Sequence, residues 1–251
     1  MAIVLELDNQ DLRQFVHTAA QFGTERFGYV VTPNADHLIR YYDDASFRAM
    51  YADAEFVLSD SRFLSYVLAA TKGVRIPVCT GSDLTARLIG NVARPDDRVV
   101  LVGGSAEQAA ALSQKFGLAN LQHINPPMGF INDPAAVTNV VEFIERQSPF
   151  RFCLLAIGCP RQETIAQRLK QRGIARGLAL CIGASIDFLT GRERRAPQLV
   201  QKLGVEWLYR LLQSPRRLGG RYLIRGPRVF NVLRRVEIRL KPKPVDTSIR
   251  G

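Results

Sequence analysis

Five times along this chain a short, almost wholly apolar run gives way to a small or polar residue and then to a helical stretch. The segments are "YVVTPNADHLIRYY" from Tyr29, "FVLSDSRFLSYVLAA" from Phe56, "RVVLVGGSAEQAAAL" from Arg98, "FCLLAIGCPRQETIAQRL" from Phe152 and "LALCIGASIDFL" from Leu178. A strand that is apolar at successive positions, rather than at alternate ones, is buried on both faces. Strands alternating with helices build βαβ units around a mainly parallel sheet. The expected fold class is therefore α/β, a Rossmann-like, mainly parallel sheet. A hydrophobic content of 47% over 251 residues is enough for a sizeable core.

The pattern changes after Gly191. Apolar strand-like runs stop, and proline and glycine interrupt a leucine- and arginine-rich stretch. Between Arg192 and Lys243 fifteen Lys or Arg face three Asp or Glu, and twelve of the fifteen are arginine. That segment carries +12, so the rest of a chain whose net charge is +11 sums to about −1. Arginine's planar fork suits bidentate contact with phosphate. The reading is a catalytic α/β domain over 1–193 and a C-terminal helical basic appendage over 194–251. On a helical wheel from Pro227 to Leu240, Arg228, Arg235 and Arg239 share one face, opposite Val229, Leu233, Val236 and Leu240. This predicts an amphipathic helix with a cationic side. Past Leu240 the sequence "KPKPVDTSIRG" predicts a frayed tail.

Several classes fall away. Cys79, Cys153, Cys159 and Cys181 form no C-x-x-C pair and sit in apolar surroundings, which fits reduced, buried thiols. With three scattered histidines, a zinc site is not indicated. No run approaches the length needed to span a bilayer, and "MAIVLELDNQ" lacks the layout of a signal peptide. The expectation is a soluble, cytoplasmic chain.

In an open parallel sheet, ligands bind beyond the carboxyl ends of the strands. The residues there are Thr32-Pro33-Asn34, Ser59-Asp60-Ser61, Thr80-Gly81-Ser82-Asp83, Gly103-Gly104-Ser105, Pro160-Arg161-Gln162-Glu163 and Gly183-Ala184-Ser185. Each has an ordinary use. Asn34, Asp60, Ser82 and Ser105 are all good N-cap residues. The functional alternative is convergence on one crevice, where helix N-termini cradle a diphosphate and one carboxylate serves as base. "VGGSAE" is neither a dinucleotide fingerprint nor a P-loop. Asp43-Asp44 and Asp96-Asp97 are not an Asp-x-Asp at a strand end, so a metal anchoring a diphosphate is not indicated. His37 could face the crevice, whereas His17 and His123 read as positions without partners.

Taken together, "TPNADHL", "VLSDSRFL", "TGSDL", "IGCPRQE" and "RAPQLVQKLGVEWLYRLLQSPRRLGGRYL" resemble, in order and spacing, the WecG/TagA/CpsF family of bacterial glycosyltransferases. The resemblance covers about residues 28–225. It implies an inverting, metal-independent enzyme that needs no cofactor. Such an enzyme moves a sugar from a UDP-sugar donor to an undecaprenyl-diphosphate-linked saccharide acceptor, in exopolysaccharide or other cell-surface polysaccharide synthesis. It also implies a peripheral place on an anionic membrane surface, the inner face of the bacterial plasma membrane. Residue by residue, Asp60 matches the family's proposed base, and Thr32 and Asn34 its neighbouring polar pair. Gln162 matches a nucleotide-sugar contact. Arg210 and Arg217, joined by Arg221, match appendage arginines that meet the diphosphate. Ser82, Asp83 and Gly103 are added as substrate-binding candidates on the strand-end loops.

The sequence departs from the family pattern in three places. "SDSRFL" stands where Asp-Gly is more usual. "PVCTGSDL" lacks a preceding arginine, for which Arg75 is the candidate substitute. "NPPMGF" at 125–130 is closer to the exopolysaccharide branch, which puts UDP-glucose ahead of UDP-N-acetylmannosamine. The rival readings are a basic-tailed nucleic-acid-binding protein and a non-catalytic UDP-sugar-binding regulator. The near-neutral body and the lack of a nucleic-acid-binding motif weigh against a nucleic-acid partner. The sequence leaves room for a homo-oligomer.

Overall fold

The computed structural model describes residues 3–242. Six strands form one all-parallel sheet. They are β2 (Phe27–Val31), β3 (Phe56–Val57), β4 (Val99–Val102), β5 (Leu121–Ile124), β6 (Phe152–Leu155) and β7 (Gly177–Cys181), in the order β3-β2-β7-β6-β4-β5. Helices pack on both faces, and two hydrophobic clusters fill the two interlayer spaces. All four residues of β4 and of β6, and all five of β7, are buried. This is why their sequence lacks polar alternation. The central strands could not continue as helix, because Val99-Val100 and the other apolar runs end at glycine or small polar residues.

The topology decides which loops meet. The chain builds β2 and β3 toward one edge, then starts again at β4 and builds β5 toward the other. It closes the gap with β6 and β7. The carboxyl ends of β3, β2, β7 and β6 are therefore neighbours, whereas β4 stands on the far side of β6.

The C-terminal segment does not stay helical to Leu240, as the wheel predicts. A helix spans Arg228–Arg235, and Val236–Leu240 is strand β8, paired in parallel with β1 (Ile3–Leu7). "VEIRL" alternates apolar and polar residues, with Val236 and Ile238 buried and Glu237 and Arg239 exposed. Over five residues that period of two competes with the helical period, and pairing with β1 settles it. The single cationic face therefore breaks up. Arg239 sits on the strand, 2.9 Å from Glu237, while Arg228 pairs with Asp43 at 3.0 Å and Arg235 donates to the Tyr42 hydroxyl. Val229, Val232 and Leu233 are buried in the larger hydrophobic cluster. The tail expected past Leu240 lies, from residue 243, outside the described residues. Among the described residues no helix is long and apolar enough to cross a membrane.

Candidate active site

A cleft of about 610 Å³ lies over the carboxyl ends of β3, β2, β7 and β6 and is closed from outside by residues 195–230. Its lining includes Thr32 and Asn34 after β2, Asp60 after β3, and Gly81 and Ser82 on the next helix. Gln162 after β6 and Arg195, Arg210 and Arg221 from the C-terminal segment complete it. Thus Thr32, Asn34, Asp60, Ser82, Gln162, Arg210 and Arg221 come together, although they span nearly two hundred residues of sequence. Arg217 falls on the short helix Pro215–Gly219, and its side chain lies outside the described residues.

Gly103 does not join them. It follows β4, beyond β6, and its backbone is packed tightly against Ala156, where an added Cβ would come within 2.8 Å of the carbonyl oxygen. With φ at +92°, the position takes glycine for the turn and the close approach. His123 also has a partner there: its Nε2 lies 3.2 Å from the Gly103 and Gly104 carbonyl oxygens. His17 too is partnered, its Nε2 lying 3.0 Å from the Gln21 amide nitrogen. The 125–130 segment lies past β5 at the sheet edge and lines none of the cleft.

The ordinary and functional readings of the strand-end residues separate cleanly. Asn34 is the N-cap of the helix Ala35–Asp43 and Ser105 that of Ala106–Phe116. Asp60 caps nothing, because its neighbour Ser61 accepts the Leu64 N–H at the start of Arg62–Lys72. Thr80, not Ser82, caps the helix Gly81–Asn91. The Gly81 N–H donates instead to Asp60 Oδ1 at 2.7 Å. A Cβ on Gly81 would sit 3.3 Å from Ser185 Oγ and 3.4 Å from Thr32 Oγ1, so the surroundings of Asp60 are closely fitted. No described residue donates to Asp60 Oδ2. Burial pushes the Asp60 carboxyl up to about 7; the Gly81 N–H bond opposes this, as do Arg210 and Arg195, while Glu206 adds to it.

Asp83 lies beside the cleft in an ion pair. Both Arg195 guanidinium nitrogens reach its carboxylate, Nη2 at 3.0 Å, and Nη2 also meets Thr80 Oγ1 at 3.2 Å. Arg75 is exposed and lines none of the cleft, so Arg195 meets the "TGSDL" helix in its place. The other appendage arginines are also tied to acids. Arg221 lies 3.4 Å from Asp36, and Arg210 lies 4.0 Å from Glu193 with its guanidinium over the Phe188 ring. The Nε atoms of Arg195, Arg210 and Arg221 are buried without an acceptor among the described residues. With Arg195, Arg210 and Arg221 all lining it, the cleft carries cationic side chains of the kind that suit an anion.

Behind the cleft, potential ligand atoms of His37, Cys159 and Glu163 lie within 4.8 Å of one another. The hydrogen bonds assign them another use. His37 Nδ1 accepts the Asn34 N–H at 3.2 Å, so in the neutral ring Nε2 carries the proton and has no lone pair for a metal. Burial, with Arg221 nearby, lowers the His37 pKa to about 4 and keeps the ring neutral. Its Nε2 lies 3.9 Å from Glu163 Oε1, which accepts from the Gln162 amide at 3.0 Å; the Gln162 carbonyl in turn accepts the Gly183 N–H at 2.9 Å. Glu163 is almost fully buried, and burial raises its pKa. Sequence reasoning missed this buried carboxylate beneath Asn34 and Gln162. Its only signal is position, one residue after Gln162 in the first helical turn.

A parallel sheet with a cleft over its strand ends, lined by a carboxylate of raised pKa and by arginines, is the arrangement of an α/β ligand-binding site. The chain matches the family described as "Glycosyl transferase WecG/TagA/CpsF family" over residues 2–243, and it belongs to that family. It is therefore a glycosyltransferase of cell-surface polysaccharide synthesis, with a sugar donor and an acceptor as substrates.

Proposed function

We propose that this protein is an inverting, metal-independent transferase that uses a UDP-sugar and an undecaprenyl-diphosphate-linked saccharide. The observation that carries the reading is Asp60, fixed through Oδ1 by Gly81, with Oδ2 unpartnered among the described residues and a pKa near 7. A base is most effective when its pKa lies near the working pH. Asp60 takes the proton from an acceptor hydroxyl. The resulting oxygen forms the new bond to the donor's anomeric carbon as the bond from that carbon to UDP breaks, and UDP leaves with the electron pair. The cationic side chains of Arg195, Arg210 and Arg221, which line the cleft, support this reading by offering positive charge to the leaving group. UDP-glucose is the first donor to test.

The acceptor's lipid tail and an anionic bilayer account for the surface of the C-terminal segment. Among the described residues, seven of the ten exposed large hydrophobic side chains lie between Leu199 and Phe230, in the segment that closes the cleft. Exposed apolar patches of this kind mark interaction sites. Arg228, Arg234 and Arg235 line a shallow recess beside them. Each cation near an anionic membrane contributes about 1 kcal/mol. Incubation with a panel of UDP-sugars and undecaprenyl-diphosphate sugars, with product masses recorded, tests the reading. A hydrolysed donor with no lipid-linked product across the panel would overturn it.

A further inference from the structure

The cleft holds a second carboxylate that the reading above leaves unused. Glu206 lies in the first turn of the helix Glu206–Gln213, lines the cleft and makes no hydrogen bond or ion pair with a described residue. This is unusual in so cationic a site. Arg195 is paired with Asp83, Arg210 lies 4.0 Å from Glu193 and Arg221 is paired with Asp36; Glu206 acts on Arg195 through its charge alone. Arg210 is four residues along the same helix and also lines the cleft. Residues at that spacing stand on one helix face with about 5–6 Å between their Cβ atoms.

The helix thus offers two unlike groups one turn apart: an N–H donor that suits a phosphate and a carboxylate that can only accept. A phosphate oxygen would be repelled at Glu206. A hydroxyl would be bound there, because it can donate. Of the other two carboxylates lining the cleft, Asp36 is paired with Arg221, and Asp60 stands close enough for the negative charge of Glu206 to act on it. With Arg210 on the diphosphate of the donor, Glu206, near the base Asp60, is left for a hydroxyl of the acceptor's ring.

We propose that Glu206 contacts the acceptor, receiving a hydroxyl of its sugar beside Asp60 and one helical turn from Arg210, the arginine on the side of the departing UDP. The inference rests on Asp60 being the base and the acceptor being a sugar diphosphate. It makes Glu206 a specificity-determining residue. A neutral ring with a free hydroxyl is selected, and a ring bearing a carboxylate at that place is rejected by like charge.

The test uses the full chain, the best UDP-sugar from the panel, and prenyl-diphosphate-linked glucose beside its glucuronic acid counterpart. For Glu206→Gln, the acceptor KM for the neutral sugar should rise about 10- to 100-fold, the range for losing a hydrogen bond to a charged group. The donor KM and the affinity for UDP measured by calorimetry should stay within about twofold, and the ratio of glucuronide to glucoside turnover should rise. The acid limb of the rate profile should also move to lower pH. The groups facing Asp60 are Glu206, Arg210, Arg195, Tyr51 and Cys79, and the variant removes the negative one. Glu206→Asp should recover part of the acceptor affinity.

An unchanged acceptor KM, or equal losses for acceptor and UDP with a lowered melting temperature, would overturn the proposal. Asp60→Asn in parallel separates the two ideas. Wild-type turnover in that variant removes the base assignment, while the acceptor KM of Glu206→Gln still reports on Glu206.

Discussion

Leucine is used in two opposite ways in this molecule. In the six-stranded sheet Leu101, Leu154 and Leu155 have no exposed surface, whereas in the C-terminal segment Leu212 is 73% and Leu199 69% exposed. Burying a leucine side chain is worth about 1.5–3 kcal/mol, so the sheet gains stability that the segment forgoes. The charges follow the same division. The body is close to neutral, and the segment holds most of the excess cations. The segment is nonetheless not a loose addition, because its last helix and β8 bury Val229, Val232, Leu233 and Val236 against the body. The contrast teaches that exposure and anchoring are weighted toward successive stretches: most of residues 195–225 faces cleft or solvent, with Ala196, Leu211 and Leu218 buried, and residues 228–240 supply most of the anchoring.

Changes can be aimed at either half of this contrast. The largest effect is expected at Asp60. Asp60→Asn should reduce transfer about 10²- to 10⁴-fold, with no fall in melting temperature, since Ser61 and not Asp60 caps the adjacent helix. In the unaltered enzyme kcat/KM should rise as pH increases through about 7, because an elevated carboxyl must lose its proton to act as base. A profile flat from pH 5 to 9 would count against Asp60. Arg210→Ala should reduce kcat about 10²- to 10³-fold, the usual loss for one charge-stabilising donor, even with a short water-soluble acceptor.

Stability should respond in the anchoring half and not in the facing half. Leu233→Ala should lower unfolding free energy by about 2–5 kcal/mol, measured by denaturant titration. Deleting everything after Arg195 should give an aggregating body, because it uncovers β1 and the cluster that Val229 and Leu233 fill. Leu212→Ser with Ile224→Ser should leave the melting temperature within about 1 °C but weaken sedimentation with anionic vesicles. A two- to three-degree fall would show that these side chains pack. The smallest effect is expected from EDTA: transfer measured in its presence should match transfer with added magnesium. Loss restored by metal would revise the arginine account of leaving-group stabilisation.

Much of this was readable before any coordinates. The five quoted apolar runs became β2, β3, β4, β6 and β7, since burial on both faces leaves an unmistakable mark. β5, "LQHI", is only half-buried throughout, and β1 and β8 form a separate two-stranded sheet, so neither produced that mark. Cap positions moved by up to two residues, from Asp60 to Ser61 and from Ser82 to Thr80, because Ser, Thr and Asp compete on nearly equal terms. Gly103 resembles its cleft-lining counterparts in sequence, and only strand order shows that β4 is on the wrong side of β6. The partners of the arginines were not legible either, since Asp36, Asp83 and Glu193 lie far from them in sequence or give no periodic signal.

The pairing of β1 with β8 joins Ile3 to Val236, the two ends of the described chain. Closing so long a loop is entropically demanding, and contacts of this span form late in folding. The six-stranded sheet can consolidate first, through shorter connections. The order of assembly then matters to the cell. Until β8 docks, a newly made molecule presents its leucine- and arginine-rich stretch with nothing to hold it over the cleft. Pulse-labelled hydrogen exchange during refolding should show β8 amides protected after those of β4 and β6; simultaneous protection would remove this ordering.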